Sequence, residues 1–237
     1  MKKTALLFSL LLFGMSLYFA QVAVAEEAAF TIPSVSKKIA VDVTKAKPEA
    51  FWKRIPKMTC FTLPWEEETP PATTLQMCHN DEYLFFLYEA IDPEIIIEGD
   101  QNVEVNVAEG DRVEIFFATT EDGPYYCFEM GPEGRVLDYR AKFYRKFEYG
   151  WSEDWLKCVA ERTKKGYRVK GSVKLADLRR LNILHEDGTM RAGFFRAEYR
   201  HGPDGKIEYH WVSWKHSGTE KADFHVWGAF DVVKLAK

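Results

Sequence analysis

The sequence has no surplus of basic residues, since 32 Lys and Arg stand against 36 Asp and Glu and the formal net charge is −4 at pH 7. Proteins that bind nucleic acids draw much of their affinity from Lys and Arg side chains that neutralise phosphates. The charge therefore argues against a nucleic-acid partner. The sequence also lacks a Ser-His-Asp elbow, a Gly-rich phosphate loop and a His-Glu-x-x-His motif. It gives no sign of the enzyme classes that depend on them.

Long hydrophobic runs are absent except near the first residue. Two lysines precede an apolar run from Ala5 to Ala20, and Ala23-Val-Ala25 fits a small-x-small cleavage site. This pattern is typical of a secretory signal peptide, so we expect residues 1–25 to be removed and the protein to be periplasmic or secreted. The alternative is an N-terminal membrane anchor, which the two glutamates that follow at once disfavour. No later run is long enough to cross a bilayer, so we expect no membrane span in the mature protein.

Cysteine is scarce, and the four residues, Cys60, Cys78, Cys127 and Cys158, match neither a zinc pattern nor a haem-attachment motif. An even number of cysteines in an exported protein favours disulfides. The pairs Cys60–Cys78 and Cys127–Cys158 are favoured because each joins strands that are close in sequence. Four buried thiols are the alternative.

Alternation of apolar and polar residues is what the sequence does contain, most clearly from Asp111 to Gly134. Two alternating runs are joined there by an Asp-Gly-Pro turn at 122–124. Because side chains alternate across a strand, each run places its apolar side chains on one face. If the runs pair in register, Glu114 and Glu129 lie together on a face that points away from the core.

About a dozen such short runs, separated by turn residues, follow one another along the chain, with one short helix near Ala176–Leu181. The pattern predicts an all-β protein, a two-layer antiparallel β-sandwich of jelly-roll or immunoglobulin-like type. We expect residues 26–237 to form a single domain.

The stretch from Asp92 to Gly110 is less regular and acidic. Carboxylate oxygens on a flexible loop suit Ca²⁺, so the stretch could hold a calcium ion. The alternative is a solvated acidic loop, because no EF-hand spacing is present.

Several segments together resemble a known family: Asp111-x-Val-Glu-Ile-Phe116, Tyr125-Tyr-x-Phe128 with Gly134, Gly166-Tyr-x-Val169, Val212-Ser-Trp214, and Phe230 before the last strand. Their order and spacing are similar to those of the family 9 carbohydrate-binding modules, over roughly Ile39 to Leu235. The resemblance implies a jelly-roll-like sandwich without catalysis that binds sugar ends, often with structural calcium. The wider superfamily also includes DOMON-type domains that bind haem or sugars.

The resemblance carries over to the binding residues only in part. Sugar-binding members clamp the ring between two aromatic side chains and hold its hydroxyls with polar groups. The acidic contact on the strand is kept as Glu114, but Ala108 stands in place of the first aromatic residue and Glu129 in place of an arginine. The second aromatic position falls near Phe224, with His225 close by. Half of the clamp is therefore replaced.

Two further residues complete the predicted carbohydrate-binding set. Trp227 lies just before the last strand, in a loop-like position where a ring can meet a ligand. Arg196 alternates with Glu198 and Arg200, and could donate to sugar hydroxyls. The alternative for Arg196 is a salt-bridge ladder with Glu114 and Glu129. The predicted set is Glu114, Glu129, Arg196, Phe224, His225 and Trp227.

Other functions follow from other features of the sequence. Two carboxylates such as Glu114 and Glu129 could act as the acid and base of a glycoside hydrolase, which the family resemblance and the nearby arginines argue against. Electron transfer through haem would draw its ligands from scattered side chains, namely Met77, Met130, His210, His216 and His225. An interaction protein without a small ligand is the third alternative. A carbohydrate-binding protein would have carbohydrate as its partner, with polysaccharide-degrading enzymes as further candidates.

Overall fold

The computed structural model describes residues 29–100, 102–152 and 154–237, so the predicted signal peptide at 1–25 lies outside the described residues. The described part of the chain is built from strands, with one short α-helix and three 3-10 turns. The strands are β1 (Phe30–Ile32), β2 (Thr73–His79), β3 (Tyr83–Ile91), β4 (Arg112–Ala118), β5 (Pro124–Met130), β6 (Val136–Lys142), β7 (Lys146–Glu148), β8 (Leu156–Thr163), β9 (Gly166–Lys174), β10 (Thr189–His201), β11 (Ile207–Ser213) and β12 (Asp231–Leu235). Helix α1 is Leu175–Arg180, and the 3-10 turns are Ala50–Arg54, Glu104–Glu109 and Trp227–Ala229.

The strands form two sheets. The eight-stranded sheet has the order β1-β12-β10-β4-β5-β6-β7, and β11 also pairs with β10; the four-stranded sheet has the order β2-β3-β9-β8. Neighbouring strands are antiparallel except β1 and β12, which run parallel. The two-layer, all-β sandwich predicted from the alternation is confirmed.

The main core lies between the sheets and takes the alternate residues that the sequence pattern assigns to it. In the central meander Val113 pairs with Met130 and Ile115 with Phe128, and all four are buried. Trp155, just before β8, packs edge-on against Phe128 at 4.8 Å between ring centroids. Burial of large apolar side chains, each contributing about 1.5–3 kcal/mol, is the main force that holds the two layers together.

The eight-stranded sheet is also buried on its outer face, which alternation alone does not predict. Phe116, Tyr125 and Tyr139 project there and are covered by the loops that carry Phe143 and Phe224. Tyr125 stacks on Phe143 with ring centroids 4.5 Å apart. A second apolar layer therefore surrounds the polar residues that share this face.

The predicted disulfides are not formed, and all four cysteines are free thiols. Cys127 faces the outer side of the eight-stranded sheet, whereas Cys158 packs against the core from the other sheet. Cys60 is exposed, whereas Cys78 is buried on the outer face of the four-stranded sheet. The prediction was wrong because closeness in sequence does not tell which face of a sheet a side chain occupies.

The thiol arrangement predicts a simple labelling pattern. Burial raises the pKa of Cys78 and of Cys158 to about 12, and raises that of Cys127 well above its usual value. Because the thiolate is the reactive form, we expect iodoacetamide to modify exposed Cys60 first in the native protein. Mass spectrometry after denaturation without reductant should then show four modified cysteines. A Cys60→Ser variant that labels as fast as the wild type, or a denatured protein that takes up fewer labels, would contradict the arrangement.

Candidate functional site

A small concavity on the outer face of the eight-stranded sheet brings together charged and aromatic side chains from distant parts of the sequence. Its volume is about 150 Å³, and we call it the hollow. Four of the six predicted binding residues line it: Glu114, Glu129, Phe224 and His225. The other lining residues are Arg112, Arg145, Trp211, Ala222 and Asp223.

The floor of the hollow is an arginine held between two glutamates. Glu114 of β4 pairs directly with Glu129 of β5, so their side chains share one face. Arg112 precedes Glu114 by two residues and therefore projects on the same side. Its Nε donates to Glu129 Oε2 at 2.5 Å and lies 3.1 Å from Glu114 Oε1.

Further contacts hold these side chains in place. Arg112 Nη1 donates to the backbone carbonyls of Ala108 and Gly110, each at 3.0 Å. Tyr139, from β6, donates its hydroxyl to Glu129 Oε1 at 2.7 Å. Buried charges are tolerated only when paired and hydrogen-bonded, and both conditions are met for Arg112 and Glu129.

Glu114 is satisfied less well than its neighbours. Its side chain is only 2% exposed, and its Oε1 accepts no hydrogen bond from the described part of the chain. Burial and the adjacent Glu129 raise the pKa of Glu114 to about 8, against the opposing effect of Arg112. The raised pKa favours the protonated carboxyl group, which can either donate or accept a hydrogen bond.

The aromatic wall of the hollow comes from two parts of the chain. Phe224 stacks on Phe195 of β10, with ring centroids 4.1 Å apart and planes at 13°, and is buried. One face of its ring is therefore used for packing. Trp211 of β11 meets Phe224 edge-on at 5.7 Å and also lies beside the guanidinium of Arg112, 5.8 Å from its ring centroid. Trp211 is the partly exposed aromatic residue of this wall.

His225 contributes a fixed, neutral ring. Its Nδ1 is 3.2 Å from the Tyr125 hydroxyl, and its ring stacks on Phe116 at 5.4 Å. Phe147 meets it edge-on at 4.9 Å. Burial lowers the pKa of His225 to about 4, so the ring is uncharged at neutral pH.

An ion pair across the rim joins two loops. Arg145, between β6 and β7, donates from Nη2 to Asp223 Oδ1 at 2.9 Å and from Nε to Oδ2 at 3.3 Å. The same Asp223 Oδ1 accepts the backbone N–H of His225 at 2.8 Å. This fork ties the loop that carries Phe224 and His225 to the edge of the sheet.

Arg196 is not part of the hollow, and the alternative of a ladder with Glu114 and Glu129 was wrong. Its side chain shares the inner face of β10 with Phe194 and is fully buried. There it is bonded to Glu198, lies 3.4 Å from Asp92 Oδ2, and donates to a backbone carbonyl at 2.9 Å. Arg112, which the sequence analysis did not single out, takes the place beside the two glutamates.

Trp227 also lies outside the hollow, within the 3-10 turn Trp227–Ala229. Arg191 packs over its ring at 4.5 Å, and Phe143 meets it edge-on at 6.0 Å. It lines a separate depression beside His185 and Val232. The structure thus separates Arg196 and Trp227 from the other four predicted residues.

The acidic stretch after β3 contributes to a cluster of carboxylates at the end of the sandwich. Among the described residues, Asp92, Asp111 and Glu198 form the one grouping close enough to share a metal ion, with ligand atoms within 4.8 Å of one another. Arg196 already lies against Asp92 and Glu198, and both oxygens of Asp111 accept backbone N–H groups, at 2.6 and 2.8 Å. Arginine therefore supplies positive charge to this cluster. Calcium binding stays a prediction of the sequence.

The side chains considered as haem ligands have other surroundings. Met77 and Met130 are packed in the core between the sheets. His210 Nδ1 is 2.7 Å from a Glu66 oxygen, and His225 belongs to the hollow. None of these contacts suggests an axial pair.

Across residues 29–237, apart from the two omitted positions, we find no helix with the length and apolar character needed to cross a membrane.

Comparison with known proteins places the chain in a family. The family described as "Carbohydrate family 9 binding domain-like" matches residues 44–235. No curated protein matches the sequence.

Solved structures share the fold at low identity. A candidate carbohydrate-binding protein from Bacteroides uniformis has a TM-score of 0.62 and 16% identity over 87% of this chain and 99% of its own. A family 9 carbohydrate-binding module from Caldicellulosiruptor kristjanssonii, in complex with glucose, has a TM-score of 0.52 and 14% identity, covering 87% and 95%. A module of the same family and organism, in complex with cellotriose, has a TM-score of 0.55 and 13% identity, covering 86% and 93%.

The family match spans most of the sequence, and the meander that carries the resemblance forms the centre of the eight-stranded sheet. Likeness at this level of identity establishes the common sandwich. The protein therefore belongs to the carbohydrate family 9 binding domain-like family.

Proposed function

We propose that the protein binds carbohydrate without turning it over, and that the hollow takes one sugar unit at the end of a chain. The family membership and the structural neighbours solved with glucose and with cellotriose support this proposal. The volume of the hollow, about 150 Å³, supports a single unit, because drug-sized ligands occupy roughly 300–1,000 Å³.

The observation that carries the proposal is the unused hydrogen-bonding capacity of Glu114. A buried polar atom that accepts no hydrogen bond costs about 1–3 kcal/mol, so a ligand group that supplies the missing bond is favoured. Glu114 Oε1 lies 3.1 Å from Arg112 Nε but accepts no hydrogen bond from the described residues, and Glu114 is one of the residues that line the hollow. A sugar hydroxyl both donates and accepts hydrogen bonds, which matches a carboxyl group with a raised pKa.

The ring surface that a sugar needs would come from Trp211 rather than from a two-sided clamp. The apolar C–H face of a sugar packs against aromatic rings. Ala108 offers no ring, and Phe224 already uses one face against Phe195. Tyr149, which is half-exposed and packs on Tyr139 at 5.0 Å, offers a second ring near the hollow. We infer that recognition depends more on polar contacts than on stacking.

The arrangement of Arg112 between Glu114 and Glu129 at the floor of the hollow argues for binding rather than hydrolysis. A glycoside hydrolase needs one carboxyl group as acid and another as base or nucleophile, placed on either side of the scissile bond. Glu114 and Glu129 instead lie next to each other, and a single guanidinium bridges them. Such a pair is built to hold a ligand from one side.

We also propose that binding takes place outside the cytoplasm, a location that the predicted signal peptide at residues 1–25 supports. A periplasmic or secreted protein of this kind would meet polysaccharide fragments, and polysaccharide-degrading enzymes are the partners that fit that setting. Calcium at the acidic cluster would have a structural role, since the cluster is separate from the hollow.

The proposal predicts that Glu114→Ala weakens sugar binding by tenfold or more, since hydrogen bonds to charged or strongly polar groups contribute about 1.5–3 kcal/mol. Isothermal titration with glucose and with cellotriose would measure the effect. Glu133→Ala is the matched control, because Glu133 is exposed and pairs with Arg162 away from the hollow. An unchanged affinity for Glu114→Ala, or no binding of a panel of sugars by the wild type, would reject the proposal.

The raised pKa of Glu114 also predicts a pH dependence of stability. Between the pKa of the unfolded state, 4.5, and about 8, the native state keeps a proton that the unfolded state has lost. This group therefore lowers the free energy of unfolding as pH rises through that window. Glu114→Gln removes the effect, so its stability relative to wild type should increase between pH 5.5 and pH 8.5 in urea unfolding. A constant difference between the two proteins across this range would show that Glu114 is ionised in the native state.

A further inference from the structure

The outer face of the four-stranded sheet is covered by an irregular segment, residues 35–58, which is anchored by buried polar contacts. Lys170 of β9 is fully buried and donates to Glu49 Oε1 at 2.8 Å. Asn80 donates from Nδ2 to the Ile39 carbonyl at 3.0 Å. Gln76 donates to two backbone carbonyls at 2.7 and 2.6 Å. The segment therefore holds a defined position over the sheet.

The segment does not fill the space above the sheet. A cavity of about 400 Å³ remains between them, and we call it the lysine pocket. Its apolar lining includes Ile39 and Val41 from the segment and Tyr83 and Phe85 from β3. The two β3 rings stack with centroids 5.9 Å apart and planes at 23°. Its volume lies within the range of small-molecule sites, roughly 300–1,000 Å³.

Cationic side chains surround this apolar lining. Lys37, Lys157 and Lys174 all line the pocket, and among the described lining residues Glu82 is the one acidic side chain. Lys157 forms an exposed pair with Asp154, and Lys174 donates to the Asp154 carbonyl at 3.5 Å. Screening by water keeps such exposed pairs weak.

Polar groups add to the lining. Ser172 of β9 contributes a hydroxyl group. Trp155 also lies along the pocket, and its buried indole N–H has no hydrogen-bond partner among the described residues. Ligand sites are typically apolar cavities with a few polar or charged groups. Because three lysines and one glutamate supply the described charges of this lining, an anion with an apolar body is the ligand class that matches it.

We propose that the lysine pocket binds a small carboxylate with an aromatic or short aliphatic body. The body would pack against Ile39, Val41 and the rings of Tyr83 and Phe85, and the carboxylate would meet the lysine ammonium groups. The pocket lies on the opposite outer face of the sandwich from the hollow, so this site does not depend on the proposed sugar site.

The test uses 4-phenylbutyrate as the probe and its uncharged amide as the comparison, both titrated calorimetrically into the purified protein. We expect saturable binding of the carboxylate, at least fivefold tighter than binding of the amide, that weakens with added salt. The Lys37→Met/Lys174→Met double variant should lose at least fivefold in affinity. Lys45→Met is the matched control, because Lys45 is an exposed lysine of the same segment outside the pocket lining.

A second variant tests the apolar part of the pocket. Val41→Glu adds bulk and negative charge to the wall and should abolish binding of the carboxylate, while Glu114→Ala should leave it unchanged. The proposal is overturned if the carboxylate does not saturate, if the amide binds equally well, or if Lys45→Met weakens binding as much as the double variant. Displacement of the probe by glucose would also overturn it, because it would place the probe in the hollow.

Discussion

The ion pairs of Arg112 with Glu114 and Glu129 are the interaction on which the outer face of the eight-stranded sheet depends. Two carboxyl groups directly opposite each other in a buried sheet would repel if both were charged, and the guanidinium between them, together with the raised pKa of Glu114, is what allows both to stay there. Arg112 is well suited to this position because its guanidinium presents several donors at once, to carboxylates and to backbone carbonyls. Glu114 Oε1 accepts no hydrogen bond from the part of the chain that the structure describes, and this unused capacity is the basis of the proposed sugar contact.

The surroundings of this ion-pair cluster explain why the hollow is small. Loops from β6–β7 and from the chain after β11 pack aromatic side chains over the sheet, and the Arg145–Asp223 fork ties them together. The low dielectric that they create strengthens the ion pairs and raises the pKa of Glu114. The four-stranded sheet is covered differently, by a single segment that leaves a larger and more apolar space. Two faces of one sandwich thus offer sites of different chemistry.

Much of the fold and part of the site follow from the alternation of side chains. The meander register, and with it the shared face of Glu114 and Glu129, could be derived because inner and outer residues differ in polarity over Asp111–Gly134. Arg196 was assigned to the wrong face because Phe194 and Phe195 are both buried, one on each side of β10. When both faces of a strand are apolar, the alternation of polar and apolar residues does not show which of its side chains point into the core.

The sequence by itself determined the strand-rich sandwich, the pairing of Glu114 with Glu129 and the family resemblance, since these depend on periodicity and on residues close together in the chain. Tertiary structure decided the rest. Trp211 reaches Arg112 only because β11 and β4 both pair with β10, and Cys127 is separated from Cys158 because their strands belong to different sheets. Contacts between residues far apart in sequence depend on the order of strands and on how loops fold over them, and neither is encoded in local alternation.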